Sequence, residues 1–323
     1  MPYMSDAMQS SSTTSSGPLT IPVVWSPDCL LHEPKGEVWL GVMTPGTELP
    51  ERAEVIRREL VTAGAPAVPA QRHDDEVLRA VHDSDLLDFL EHAYDLWAAD
   101  GLFAAAGTDR VVPYVFPTAG LLDGLPIRQP AGIHGRAGRY GYLNNAAVAA
   151  QAMRGSGRRR VAVVDIDAHH GNGTQMLFYD RADVFYGSLH VDPGAGWFPH
   201  YAGYRDESGR GDGAGTTLNL PLPEGTPDDD WLAALDQIVA AVRDFGADGL
   251  VVSLGVDAAV DDPESPLRVT HDGYRSAGLR LGHLGLPTVA VQEGGYHLPT
   301  LGTLVRSCLT GLQSGLALPD GSA

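Results

Sequence analysis

The 323-residue sequence contains two cysteines, Cys29 and Cys308, and a single lysine, Lys35. Two thiols so far apart exclude a disulfide framework and any cysteine-rich zinc or iron–sulfur site, so a bound metal would have to rest on histidines and carboxylates. Basic residues are scarce: 22 Lys+Arg stand against 41 Asp+Glu, a formal net charge of −19. A chain this acidic repels a phosphate backbone, which excludes a strong nucleic-acid binder. No run of roughly 18 apolar residues occurs, and the N-terminus has neither a basic start nor an apolar stretch, so neither a membrane span nor Sec export is supported. A cytoplasmic location is the expectation. The near-absence of lysine is a habit of composition to which we attach no function.

What is present is an ordinary globular balance, with 43% hydrophobic and 20% charged residues. Residues 1–18 hold a Ser/Thr run from Ser10 to Ser16 followed by Gly17 and Pro18. Such a stretch buries too little apolar surface to offset the entropy of ordering, and it reads as a disordered tail. Nothing linker-like interrupts residues 19–323 and no solenoid repeat appears, so a single domain is expected. Val/Ile-rich runs at Glu37–Val42, Val161–Ile166, Asp183–Leu189, Gly249–Leu254 and Pro287–Val291 read as strands buried on both faces. Helical patterns lie between them. The clearest follows Asp228, Asp229 and Asp230, where Trp231, Leu235, Ile238, Val239 and Val242 share one face and Gly246 supplies a stop. This alternation predicts an α/β fold with a central parallel sheet and helices on both faces, and its sites belong at the carboxyl ends of the strands.

Two strands end in chemistry. Val161–Ile166 runs into Asp167, His169, His170 and Asn172, and residues spaced by two on an extended chain point the same way. Val251–Val256 ends in Asp257, which could complete a site with Asp167 and His169. Two carboxylates and an imidazole suit zinc or ferrous iron and leave positions open for water and substrate. A lone Asp-x-His at a strand end ordinarily caps a loop; several such endings together shift the balance toward a metal site. A third strand ends in Glu293-Gly294-Gly295-Tyr296, where the glycine pair lets the backbone turn closely and aim a tyrosine at the same crevice.

Val164–Gln175 (Val-Asp-x-Asp-x-His-His-Gly-Asn-Gly-Thr-Gln), Ser253–Asp257 and Glu293–Tyr296, in this order, resemble the histone deacetylase and acetylpolyamine amidohydrolase superfamily. The resemblance extends to Glu48–Arg52, Val81–Asp83, Gly141–Asn145, Ser188–His190 and Trp197–Pro199, and so spans most of residues 21–312. It implies an arginase/deacetylase-like three-layer fold and a zinc-dependent deacetylase acting on linear amides, with zinc held by Asp167, His169 and Asp257. Ferrous iron is the alternative metal. The resemblance further implies that Tyr296 hydrogen-bonds the developing oxyanion and that His134 is general base and then general acid, with Asn172 orienting its ring. A structural potassium ion near the backbone of Asp165, Asp167, His169, Ser188 and Leu189 is also implied.

The sequence departs from the family pattern at Pro130-Ala-Gly-Ile133-His134, where a tandem histidine is usual. His134 matches the second histidine. Ile133 replaces the first, which Asp165 would ordinarily hydrogen-bond, so Asp165 is left to find the metal or another donor. Arg139 stands in a usual glycine position, where it can narrow the entrance or bind an anion, and Tyr140 is expected to face Phe198 across a narrow channel. Beyond Pro263, Glu264 occupies a position that is apolar in lysine deacetylases and glutamate in polyamine-selective relatives. Its carboxylate would hold a second ammonium group, and the acidic net charge would steer cations toward the protein. Val111–Pro117 resembles a loop used by bacterial acetylpolyamine amidohydrolases at the channel entrance and in dimer contacts. The expected substrate is therefore a small acylated amine such as an acetylpolyamine, and a homodimer follows by analogy.

Competing readings are a lysine deacetylase, a biosynthetic amide hydrolase or amide-forming enzyme, and a weakly active zinc-bound acyl-amine binder. A two-manganese ureohydrolase is rejected because Gly171 and Gly255 stand where its extra carboxylates belong. His170 and His190 read as packing residues beside the ligands.

Overall fold

The computed structural model describes residues 17–34, 36–39, 42–99 and 143–317. Its centre is a five-stranded, wholly parallel sheet. In chain order the strands are β5 (Val161–Asp165), β6 (Val184–Val191), β7 (Thr217–Leu222), β8 (Gly249–Leu254) and β9 (Thr288–Gln292), arranged β7-β6-β5-β8-β9. Every residue of β5, β6 and β8 is buried, as their largely apolar sequences require, and Asp165, Ser188, His190 and Ser253 are buried with them. The chain runs outward from β5 to β7, then returns to add β8 and β9 on the other side of β5. The seam between β5 and β8 is the point where strand order reverses, and crevices open at the carboxyl ends there.

Alternation along the strands divides the core in two. Val161 and Val163 of β5 pack with Ala146, Ala147 and Ala150 of α4 (Asn145–Gly155) and Phe178 of α5 (Asn172–Phe178). Ala162 and Val164 point the other way, into a larger cluster built by α1 (Glu51–Thr62), α6 (Asp228–Phe245), α7 (His271–Gly282) and α8 (Leu298–Leu316). Helices therefore cover both faces, giving three layers. Helix α6 follows the sequence pattern closely: three aspartates occupy the first turn, where the helix dipole favours them. Trp231, Leu235, Ile238, Val239 and Val242 are buried, each worth about 1.5–3 kcal/mol when fully covered. Gly246 ends the helix at φ 70°, a left-handed cap that favours glycine. The short α2 (Glu76–Arg79) and the longer α3 (Ser84–Ala99) precede this core. Among the described residues, no helix is long and apolar enough to cross a membrane.

Two features correct the sequence reading. The run expected as one buried strand, Glu37–Val42, contributes to an antiparallel pair outside the main sheet, β2 (Glu37–Trp39) with β3 (Val42–Thr44), and Val42 is exposed. Apolar content alone does not separate a buried strand from such a hairpin. Strand β7 escaped notice because Asn219 and Pro221 break its pattern. Proline is tolerated there because β7 lies at the sheet edge, as does β9, where Val289 is exposed. A second small pair, this one parallel, joins β1 (Val23–Trp25) to β4 (Ala67–Pro69), and the sequence reading does not mark it. At the described start of the chain, the Pro18 carbonyl accepts from Gln313 Nε2 of α8 at 3.1 Å.

Candidate metal centre

Strand β5 delivers Asp165 in register with Ser188 of β6 and Ser253 of β8, and the chain continues past this row into Asp167 and His169. Strand β8 continues into Asp257. Potential ligand atoms of Asp167, His169 and Asp257 all lie within 4.8 Å of one another. His169 Nδ1 stands 3.0 Å from Asp257 Oδ2 and 3.6 Å from Asp167 Oδ1. Backbone donors hold the carboxylates: the N–H groups of His169 and Gly294 donate to Asp167 at 2.8 and 2.9 Å, and that of Ala168 donates to Asp257 at 2.8 Å. Space is made by glycine. A Cβ on Gly255 would stand 2.1 Å from Asp167 Oδ2, and one on Gly294 would stand 2.4 Å from Asp257 Oδ2.

The electrostatics call for a cation. Burial opposes charge on His169, yet hydrogen bonds to Asp167 and Asp257 outweigh it and push its pKa up to about 10. Burial and the neighbouring Asp167 charge raise Asp257 to about 7. Both shifts report the same deficit, two converging carboxylates short of positive charge. A divalent metal would supply that charge, and the two-carboxylate, one-imidazole donor set fits zinc or ferrous iron.

Asp165 does not join this cluster. It is buried, and its Oδ2 accepts from the Tyr186 hydroxyl at 2.8 Å, while the Gly171 N–H donates to that same hydroxyl at 3.1 Å. Burial and the Asp167 charge hold its pKa well above the ordinary carboxylate range. The donor left open by the sequence is thus Tyr186. Asn172 is exposed at the first turn of α5, its N–H donating to the His170 carbonyl at 2.9 Å. His170 and His190 are buried beside the cluster with ring centroids 4.7 Å apart. His170 bonds Gln175, and burial pulls His190 down to about 3, so both are neutral packing groups.

Tyr296 is fixed from two sides. Its N–H donates to Asp262 at 2.6 Å, and the Arg52 guanidinium lies 4.6 Å from its ring centroid. Burial and the Asp257 charge raise its pKa far above that of free tyrosine, so it remains an O–H donor. Arg52 also donates to the carbonyls of Gly295 and Glu293, at 2.6 and 2.5 Å. Gly295 is buried at φ 126° and serves this clamp through its carbonyl. Glu293 accepts from Ser253 Oγ at 3.0 Å, and burial together with the Asp167 charge raises it to about 7.

Arg52, Tyr186, Asp262 and Glu293 went unassigned by sequence reasoning. For Arg52 a signal existed: it shares the spacing of the buried Ile56 and Leu60 on α1, a charge set in an apolar stripe. Phe198 is exposed, and its neighbour Trp197 lies 6.1 Å from the His169 ring while bonding Glu224. Glu264 is half-buried, with its N–H on Asp262 Oδ1 at 3.0 Å. His134, Arg139, Tyr140, Ile133 and the Val111–Pro117 loop lie outside the described residues.

Comparison with known proteins agrees with this geometry. The family model described as Histone deacetylase domain matches residues 124–312. The chain is 36% identical to the acetylpolyamine amidohydrolase of Mycoplana ramosa, over 90% of this chain and 99% of that protein. It is 37% identical to the acetylpolyamine amidohydrolase of Burkholderia pseudomallei, over 88% and 96% of the two chains. A crystal structure of the Burkholderia pseudomallei acetylpolyamine aminohydrolase superposes with a TM-score of 0.84 at 32% identity, covering 92% of this chain and 99% of that one.

Proposed function

The chain belongs to the histone deacetylase family, an enzymatic family with the arginase/deacetylase fold, and we propose that it is a metal-dependent amidohydrolase removing an acetyl or other small acyl group from a small cationic amine. One observation carries the proposal. Asp167, His169 and Asp257 converge at the β5–β8 seam beside a tyrosine that Asp262 and Arg52 hold in place. Residues 19–323 act in this reading as one catalytic domain.

Zinc held by Asp167, His169 and Asp257, with ferrous iron as the alternative, would supply Lewis acidity toward the acyl carbonyl and the attacking water. Tyr296 keeps its proton and donates it as a hydrogen bond to the acyl oxygen as negative charge develops there, a contribution of about 3–4 kcal/mol in comparable sites. His134 takes the proton from water and returns it to the departing amine, with Asn172 orienting its ring. Asp165, partnered by Tyr186, holds the turn that carries the ligands. A structural potassium ion near the backbone of Asp165, Asp167, His169, Ser188 and Leu189 belongs to the same reading.

Glu264 sets the substrate class. A carboxylate on this half-buried residue would favour an amine with a second ammonium group, and the net charge of −19 raises the local concentration of cations. Acetylated polyamines fit both requirements, and the similar proteins are named for them. Tyr140, Phe198 and Arg139 would line the channel. A cytoplasmic homodimer completes the proposal.

The test measures metal content together with turnover of N-acetylputrescine, N8-acetylspermidine and an acetyl-lysine peptide, in wild type, Tyr296→Phe and Glu264→Leu. Polyamine turnover that drops in both variants is the expected result. One bound zinc per chain with no turnover of any of the three overturns the substrate assignment. Preference for the peptide makes the protein a lysine deacetylase.

A further inference from the structure

Tyr296 and Glu264 have separate tasks in this reading, yet both hang from one buried side chain. Asp262 is 8% exposed and is not a ligand of the metal cluster. Its Oδ2 accepts the N–H groups of Tyr296 and His297, at 2.6 and 3.1 Å. Its Oδ1 accepts the Glu264 N–H at 3.0 Å. The donors belong to two segments, the turn between β9 and α8, where Tyr296 lies 34 positions from Asp262, and the turn that follows Asp257. That second turn is itself anchored. Asp262 N–H donates to the Ala259 carbonyl, Ser265 N–H donates to the Asp262 carbonyl, and Ala259 bridges Val269. Three N–H groups aimed at one desolvated carboxylate form a short, charge-assisted clasp.

We propose that Asp262 is a positioning residue that fixes the Tyr296 hydroxyl and the Glu264 carboxylate relative to each other. The separation it sets is the one that a substrate must match between its acyl oxygen and its second ammonium group. The inference rests on the deacylation reading above. Asparagine at this position is nearly isosteric but turns an –NH2 toward one set of N–H donors, leaving donors face to face. Misplacement of a reacting group by about 1 Å costs on the order of 100-fold in rate.

The experiment compares wild type, Asp262→Asn, Tyr296→Phe, the double variant and Glu264→Leu in metal-loaded enzyme, with N-acetylputrescine and neutral N-butylacetamide as substrates. Expected for Asp262→Asn are an unchanged metal content, a kcat lowered roughly 10- to 100-fold, and a preference for the diamine that falls toward that of Glu264→Leu. The double variant should be little worse than Tyr296→Phe, because Asp262 acts through a hydroxyl already removed. If the two losses multiply in full, or if the diamine preference is untouched, Asp262 has only a structural role and the inference fails. Full turnover by Tyr296→Phe instead overturns the deacylation reading itself. Should Asp262→Asn fail to fold, Asp262→Ser, which keeps a smaller acceptor, is read in the same cycle with the same criteria.

Discussion

Replacing Arg52 with methionine would remove the clamp behind Tyr296 while keeping most of the buried stem. The side chain is 7% exposed and makes two hydrogen bonds to the carbonyls of Gly295 and Glu293. Charge-assisted bonds of this kind are worth about 1.5–3 kcal/mol each, and the contact with the Tyr296 ring adds roughly 0.5–2 kcal/mol. The third partner, Glu48, lies 3.4 Å away and is 40% exposed, so that pair contributes little. Partial rehydration of the freed carbonyls brings the expected loss to about 3–5 kcal/mol. For a domain of this size that lowers Tm by roughly 6–15 °C. Thermal unfolding of chelated protein, where metal binding does not mask the change, checks the stability, and turnover of the metal-loaded protein checks the site. Arg52→Lys should recover only part of both, since an ammonium lacks the planar fork. A Tm within 2 °C of wild type for Arg52→Met, or complete recovery by lysine, would refute the reasoning.

Asp257→Asn keeps the acceptor for the Ala168 N–H but removes the charge, so the expected outcome is a folded protein with metal content near zero by elemental analysis and no turnover. Glu293 has its pKa raised from 4.5 to about 7, so its folded-state contribution is fully present below 4.5 and is lost as pH rises toward 7. Chelated Glu293→Gln should therefore be more stable than wild type at pH 8 by on the order of 1–3 kcal/mol and equal to it near pH 4; denaturant midpoints at the two pH values decide. Ile133→His should raise the deacylation rate and shift the pH–rate profile, because it restores the imidazole that the family pattern places beside His134; no gain counts against that role.

The parts of the protein legible in sequence are those whose cause is local. Strands β5, β6 and β8 are buried on both faces and appear as largely apolar stretches, and the candidate ligands Asp167, His169 and Asp257, which the structure brings within 4.8 Å of one another, follow where two of them end. Helix α6 carries its periodicity and both of its end signals within a single stretch. What escaped depends on distant partners. The Arg52 bond to Gly295 joins residues 243 positions apart, and Tyr186 meets Asp165 across 21 positions. No spacing rule marks such pairs, because each residue looks ordinary until its partner arrives. Asp262 is the same case: an acid in a polar turn reads as solvated, and only the approach of the Tyr296 turn makes it a buried acceptor.

The order of strands bears on how the protein comes to be assembled. β5 and β6 can pair as soon as both exist, but β5 then presents a bare outer edge, a row of unpaired N–H and carbonyl groups beside valines, until β8 docks against it. Asp167 and Asp257 come together only with that docking, since one follows β5 and the other follows β8. Metal uptake at this site would therefore follow the docking of β8. A nascent chain stalled before β8 would combine a sticky edge with an incomplete ligand set, and such slow, long-range closure is the stage most exposed to aggregation.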